Sequence, residues 1–125
     1  MNDTQALTSV LLMFAMLSET GVTDQKLDIM EEVLGGLPPN LRSAGSSRDP
    51  LSSIENEVAR ITLQKQLLDQ YDASFPVLVR AINQEGRKEL LNIMSTMATD
   101  GGQKEVSDYE QDLLVAAMSM LKLYK

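Results

Sequence analysis

Residues 91–114 read LNIMSTMATDGGQKEVSDYEQDLL. Leu90, Leu91, Ile93, Met94 and Met97 recur at the spacing of one helix face, which predicts a helix from about Arg87 to Ala98. Thr99 to Glu105 is polar and carries Asp100-Gly101-Gly102, a loop by composition. Ser107-Asp108-Tyr109-Glu110 then places a hydroxyl residue three positions before a glutamate. That is a capping box, in which each side chain satisfies the other residue's backbone N–H at a helix start. Leu113, Leu114, Ala117, Met118, Leu121 and Leu123 continue the last helix. The stretch is therefore helix, acidic loop, capped helix.

The N-terminal region repeats this order. Residues 11–30 read LLMFAMLSETGVTDQKLDIM. Leu7, Val10, Leu11, Phe14 and Leu17 follow helical spacing, and Leu12, Met13, Ala15 and Met16 make the remaining sides apolar, so this helix is expected at the centre of a bundle. Ser18-Glu19 stands where Thr99-Asp100 stands, and Val22-Thr23-Asp24 meets Val106-Ser107-Asp108. The valine before each cap suits a hydrophobic staple. Asp28 meets Asp112, but Lys26 occupies the position of Glu110.

The second unit, ATDGGQKEVSDYEQDLL, resembles the helix–Asp-Gly–loop–Val–Ser–acid signature of the TerB-like domains known from tellurite-resistance proteins. Asp100-Gly101, Val106, Ser107 and Glu110 carry the resemblance, which is specific over about 17 residues. It implies an all-helical domain of two pseudo-repeated units that binds metal through acidic loops, in a stress-response or mobile-element setting. The first unit departs from the pattern. Glu19 replaces the Asp, Thr20 replaces the Gly, and Lys26 stands in place of the second acid, which speaks against a symmetric metal site.

Between the two units, Leu27, Met30 and Leu34 form the apolar face of a second helix that Gly35-Gly36 and Pro38-Pro39 end. Gly36 to Arg48 is rich in Gly, Pro and Ser and is expected to be a mobile loop. Asp49-Pro50 reads as an N-cap and first helical residue, followed by Leu51, Ile54, Val58, Ile61 and Leu68 to about Asp72. Phe75-Pro76 is expected to restart the chain into a short helix. The expectation is an all-α fold, residues 1–125 forming one compact bundle of about six helices.

The chain has 125 residues, 43% hydrophobic and 23% charged, enough for one domain with its own core. It contains no cysteine and no histidine. Disulfides, thiol nucleophiles, iron–sulfur clusters, structural zinc sites with sulfur or imidazole ligands and histidine acid/base triads are thereby excluded. The net charge is −7, concentrated in residues 1–34 (net −5) and 100–114 (net −4), while residues 35–99 balance. Such a surface repels nucleic-acid phosphate and anionic lipid, so neither is an expected partner. The most apolar run, Val10 to Leu17, is far shorter than a bilayer span. With no basic start and no cysteine, a cytoplasmic location is expected.

The candidate metal ligands are Asp100, Glu110, Asp108, Glu19 and Asp24, whose oxygens suit Ca²⁺ or Mg²⁺. The same acids serve equally as helix caps and solvated loop charges. An EF-hand is excluded, because a loop starting at Asp100 puts Gly102, Lys104, Glu105 and Gln111 where that motif needs acids, a glycine and a final glutamate. Arg80, Arg87 and Lys88 could meet a phosphate, but no glycine-rich turn after a strand supports them. Eight methionines point to adaptable core filling, with a binding groove as the alternative. No catalytic constellation stands out. The expected role is a non-enzymatic acidic interaction module with a protein partner, and the TerB-like resemblance implies tuning by a divalent cation. The alternative is a small acidic inhibitor or adaptor that occupies a basic site on its partner. Self-association stays open.

Overall fold

The structure, a computed structural model, describes residues 2–18, 20–36 and 55–123. Among these the chain forms helices and no strand: α1 (Asp3–Leu17), α2 (Asp24–Leu34), α3 (Glu57–Ala81), α4 (Gln84–Ala98) and α5 (Asp108–Met120). The expected mobile loop lies outside the described residues apart from Gly36, and so does the expected helix start at Asp49-Pro50.

The all-α expectation holds, but the described residues form five helices rather than six. Two expected elements are one. Pro76 sits inside α3, which runs without interruption for 25 residues. Proline removes one backbone donor and crowds the preceding turn, yet a helix survives that when packing holds it. Here Tyr71, Phe75 and Leu78 flank the proline and are all buried, with the Tyr71 and Phe75 rings edge-on at 5.0 Å. Burial of three large side chains outweighs one missing hydrogen bond. The start of α3 also differs from expectation, since Asn56 caps the helix by accepting from the Ala59 N–H.

α1 is the central element. It packs against α2, α3 and α4. Ala6, Val10, Leu11, Met13, Phe14 and Ala15 are buried along it, as its nearly all-round apolar sequence demands. Leu27 and Met30 from α2, Leu90, Met94 and Met97 from α4, and Leu114 and Ala117 from α5 complete the core. Four of the eight methionines are thus core residues (Met13, Met30, Met94 and Met97).

The caps set where the two acidic turns lie. Thr23 caps α2, its hydroxyl accepting from the Lys26 N–H at 3.2 Å. Ser107 and Glu110 form the capping box at α5, with bonds of 3.2 and 3.1 Å. Val22 and Val106, each preceding a cap, are half-buried and pack against the core. Asn83 caps α4 by accepting from the Gly86 N–H at 2.9 Å, so this helix starts three residues before the expected Arg87.

Candidate functional site

α4 ends in a turn that the sequence shapes through three successive positive φ angles, at Asp100 (51°), Gly101 (74°) and Gly102 (94°). Glycine adopts this region freely, and Asp is one of the few other residues that tolerates it. The N–H groups of Gly102, Gln103 and Lys104 all donate to the Thr99 carbonyl, at 3.1, 2.8 and 3.0 Å. This winding turns the Asp100 side chain into the protein, where the residue is only 7% exposed.

A buried carboxylate requires partners. Those of Asp100 come from the other end of the chain. The Lys26 ammonium donates to Asp100 Oδ1 at 2.7 Å and is itself fully buried. Thr23 Oγ1 donates to the same oxygen at 2.9 Å, and Thr20 Oγ1 donates to Oδ2 at 2.9 Å. Lys26 Nζ also donates to Thr20 Oγ1 at 2.6 Å, which closes a ring of hydrogen bonds. The Thr23 hydroxyl therefore acts twice, accepting from the Lys26 backbone as a cap and donating to Asp100. Burial alone pushes the Asp100 carboxyl up. The hydrogen bonds from Lys26, Thr20 and Thr23, with the Lys26 charge, outweigh that and hold it below the ordinary aspartate value.

Glu110 has a separate arrangement. Its side chain is fully buried, and Oε1 accepts from Lys104 Nζ at 2.6 Å and from the Ser107 N–H at 3.1 Å. Lys104 Nζ also donates to the Glu105 carbonyl at 2.9 Å. Of the other candidate ligands, Asp24 and Asp108 are the exposed first residues of α2 and α5, placed to favour the positive ends of their helix dipoles. Glu19 lies outside the described residues.

Among the described residues no group of three or more acids is placed to hold a metal ion. Ca²⁺ takes six to eight oxygen ligands, several of them anionic. The oxygens of Asp100 instead accept from an ammonium and two hydroxyls, a donor set that matches a lysine. Lys26 had the signal of an exception, a base where the second unit carries Glu110. Its partner was not legible, because 74 residues separate the two. Lys104, Thr20 and Thr23 likewise had no signal beyond loop and cap. Of the candidate phosphate-binding bases, Arg87 donates to the Leu121 carbonyl at 2.9 Å, Lys88 lies 3.7 Å from Glu85, and Arg80 is exposed.

Surface grooves lie between helices among the described residues. One of about 470 Å³ is lined by Thr4, Gln5, Thr8 and Ser9 of α1 and Gln70 of α3. A second of about 300 Å³ lies between α2 and α4, and a third of about 200 Å³ between α4 and α5. No described helix is long and apolar enough to cross a membrane. No protein-family model, no curated protein and no solved structure matches the chain.

Proposed function

We propose that this chain is a non-enzymatic acidic interaction module, TerB-like in outline, whose acidic turns are braced by lysines in place of a divalent cation. The observation that carries the reading is the division of the acids into two sets. Asp100 and Glu110 are buried and each is met by a lysine ammonium, so their charge is spent on joining chain segments. Glu32 on α2, and Asp108 and Asp112 on α5, are exposed and present negative charge to the surroundings. In this reading the bridge between Lys26 and Asp100 ties the first turn of α2 to the turn after α4. The partner is a protein with a basic surface, and the setting is cytoplasmic.

Electrostatic recognition makes a specific demand on experiment. Capture of host proteins by the immobilised chain falls steeply as salt rises, because exposed charges are screened within about 10 Å at 0.1 M. The neutralised variant Asp24→Asn/Asp28→Asn/Glu32→Gln loses the same proteins at low salt. Capture that is indifferent both to salt and to this variant refutes the reading.

A further inference from the structure

We propose that the groove between α2 and α4 is the docking site for a basic amphipathic helix, an inference that rests on the acidic-module reading and gives it a location. Ile29 and Val33 of α2 and Ile93 of α4 are half-buried and form the apolar part of the groove. Glu32 and Glu89 line it as well and are exposed. Ile29 and Val33 are four residues apart, and Glu89 and Ile93 likewise, so each helix contributes one continuous face. A volume of about 300 Å³ suits a few apolar side chains laid in from above.

The charge pattern selects the occupant. The lone base of α2, Lys26, is turned inward onto Asp100 and has no exposed side-chain surface. The bases of α4 are engaged elsewhere, Lys88 near Glu85 and Arg87 on the Leu121 carbonyl. No lysine or arginine lines the groove among the described residues, and Glu32 and Glu89 are exposed beside its apolar part. A helix with apolar residues at i, i+3, i+4 and i+7 and Lys or Arg along both margins meets both requirements. Desolvating the floor supplies affinity, and the rim acids fix orientation and exclude acidic competitors.

The test uses the full chain, isotope-labelled, and a synthetic amphipathic helix with leucines at that spacing and lysines at its margins. A second peptide carries glutamate for lysine, and a third scrambles the first. Methyl resonances of Ile29, Val33 and Ile93 should shift with the lysine peptide alone, and Glu32→Lys/Glu89→Lys should weaken binding roughly tenfold. The control Glu105→Lys/Asp112→Lys has the same net charge, lies outside this groove, and should leave the affinity within about twofold. These four glutamates and aspartates are exposed, so folding is preserved and is checked by the unchanged remainder of the spectrum. Equal binding of the scrambled lysine peptide, or equal loss in both variants, overturns the groove and leaves the acidic module standing. No shift anywhere with either lysine peptide at low salt overturns both.

Discussion

Asp100 carries two constraints at once, a left-handed backbone and a buried charge. Asparagine tolerates the same backbone, so Asp100→Asn removes the charge and adds no strain. It leaves the Lys26 ammonium buried without a counter-charge, an error that costs about 3–5 kcal/mol. Lys26→Met leaves the carboxylate unpaired and should cost a similar amount. Lys26→Met/Asp100→Asn should cost clearly less than the two singles together, because each single measures the stranded partner. Urea unfolding of all four proteins checks this, and simple additivity would mean that the bridge carries no coupling. The pH dependence follows with its sign. The folded carboxyl lies below its unfolded value of about 3.9, so its contribution is complete above that pH and is lost as pH falls through the lower, folded value. Wild type should therefore shed stability in acid that Asp100→Asn never had, as read by unfolding free energy against pH below about 4. Tyr71 is the opposite case. Its hydroxyl is buried with no hydrogen-bond partner among the described residues, and burial, with Asp72 and Tyr109 nearby, pushes its pKa up. Removing an unsatisfied polar atom relieves a desolvation cost. Tyr71→Phe should leave the unfolding midpoint unchanged or raise it, and a fall of more than about 1 kcal/mol would reveal a partner for the hydroxyl.

The helices were legible where local chemistry decides them. Thr23 and Ser107 are good caps in any context, and both cap their helices here. Gly35 closes α2 in the left-handed conformation that glycine favours. Legibility failed where a tertiary contact overrides the local rule. Phe75-Pro76 reads as a break, and burial of Phe75 and Leu78 keeps α3 whole. The sequence places the start of this helix at about Arg87, yet Gly86 already lies in the first turn of α4. Asn83 caps the helix there, and the position favours glycine because a Cβ at Gly86 would run into Ile82 Cγ2, at the end of α3. This inverts the usual expectation for a helical glycine. Alanine gains about 1 kcal/mol in helix propensity, but crowding at a packed junction costs about 1–3 kcal/mol. Gly86→Ala should thus destabilise the fold or at best be neutral, and a variant clearly more stable than wild type in urea would show that Ile82 moves aside freely. α1 needs no such correction. Phe14 is fully buried in the centre of the bundle, and Phe14→Ala should cost about 3–5 kcal/mol.

For the molecule as a whole, composition and periodicity determined the class: no histidine, no cysteine, excess acid and apolar residues at helical spacing leave an all-α acidic domain. They could not determine which acids meet which bases, since pairing across 74 residues depends on how α1, α2 and α4 pack. That pairing decides how the molecule answers a divalent cation. A site held at 100 times its dissociation constant adds about 2.7 kcal/mol of stability. If Lys26 stands in for such an ion, wild type has no equivalent place to offer among the described residues. Ca²⁺ or Mg²⁺ should then move its thermal midpoint no further than NaCl of equal ionic strength, and a chelator should not lower it. Lys26→Met changes the answer, because Asp100 and its two hydroxyl donors lose the ammonium and retain the negative charge. Divalent ions should recover part of the stability lost in that variant, and none in Lys26→Met/Asp100→Asn, where the charge is gone as well. A chelator that lowers the wild-type midpoint would show a resident ion, and would return the acidic turns to the metal-binding role that the TerB-like resemblance implies.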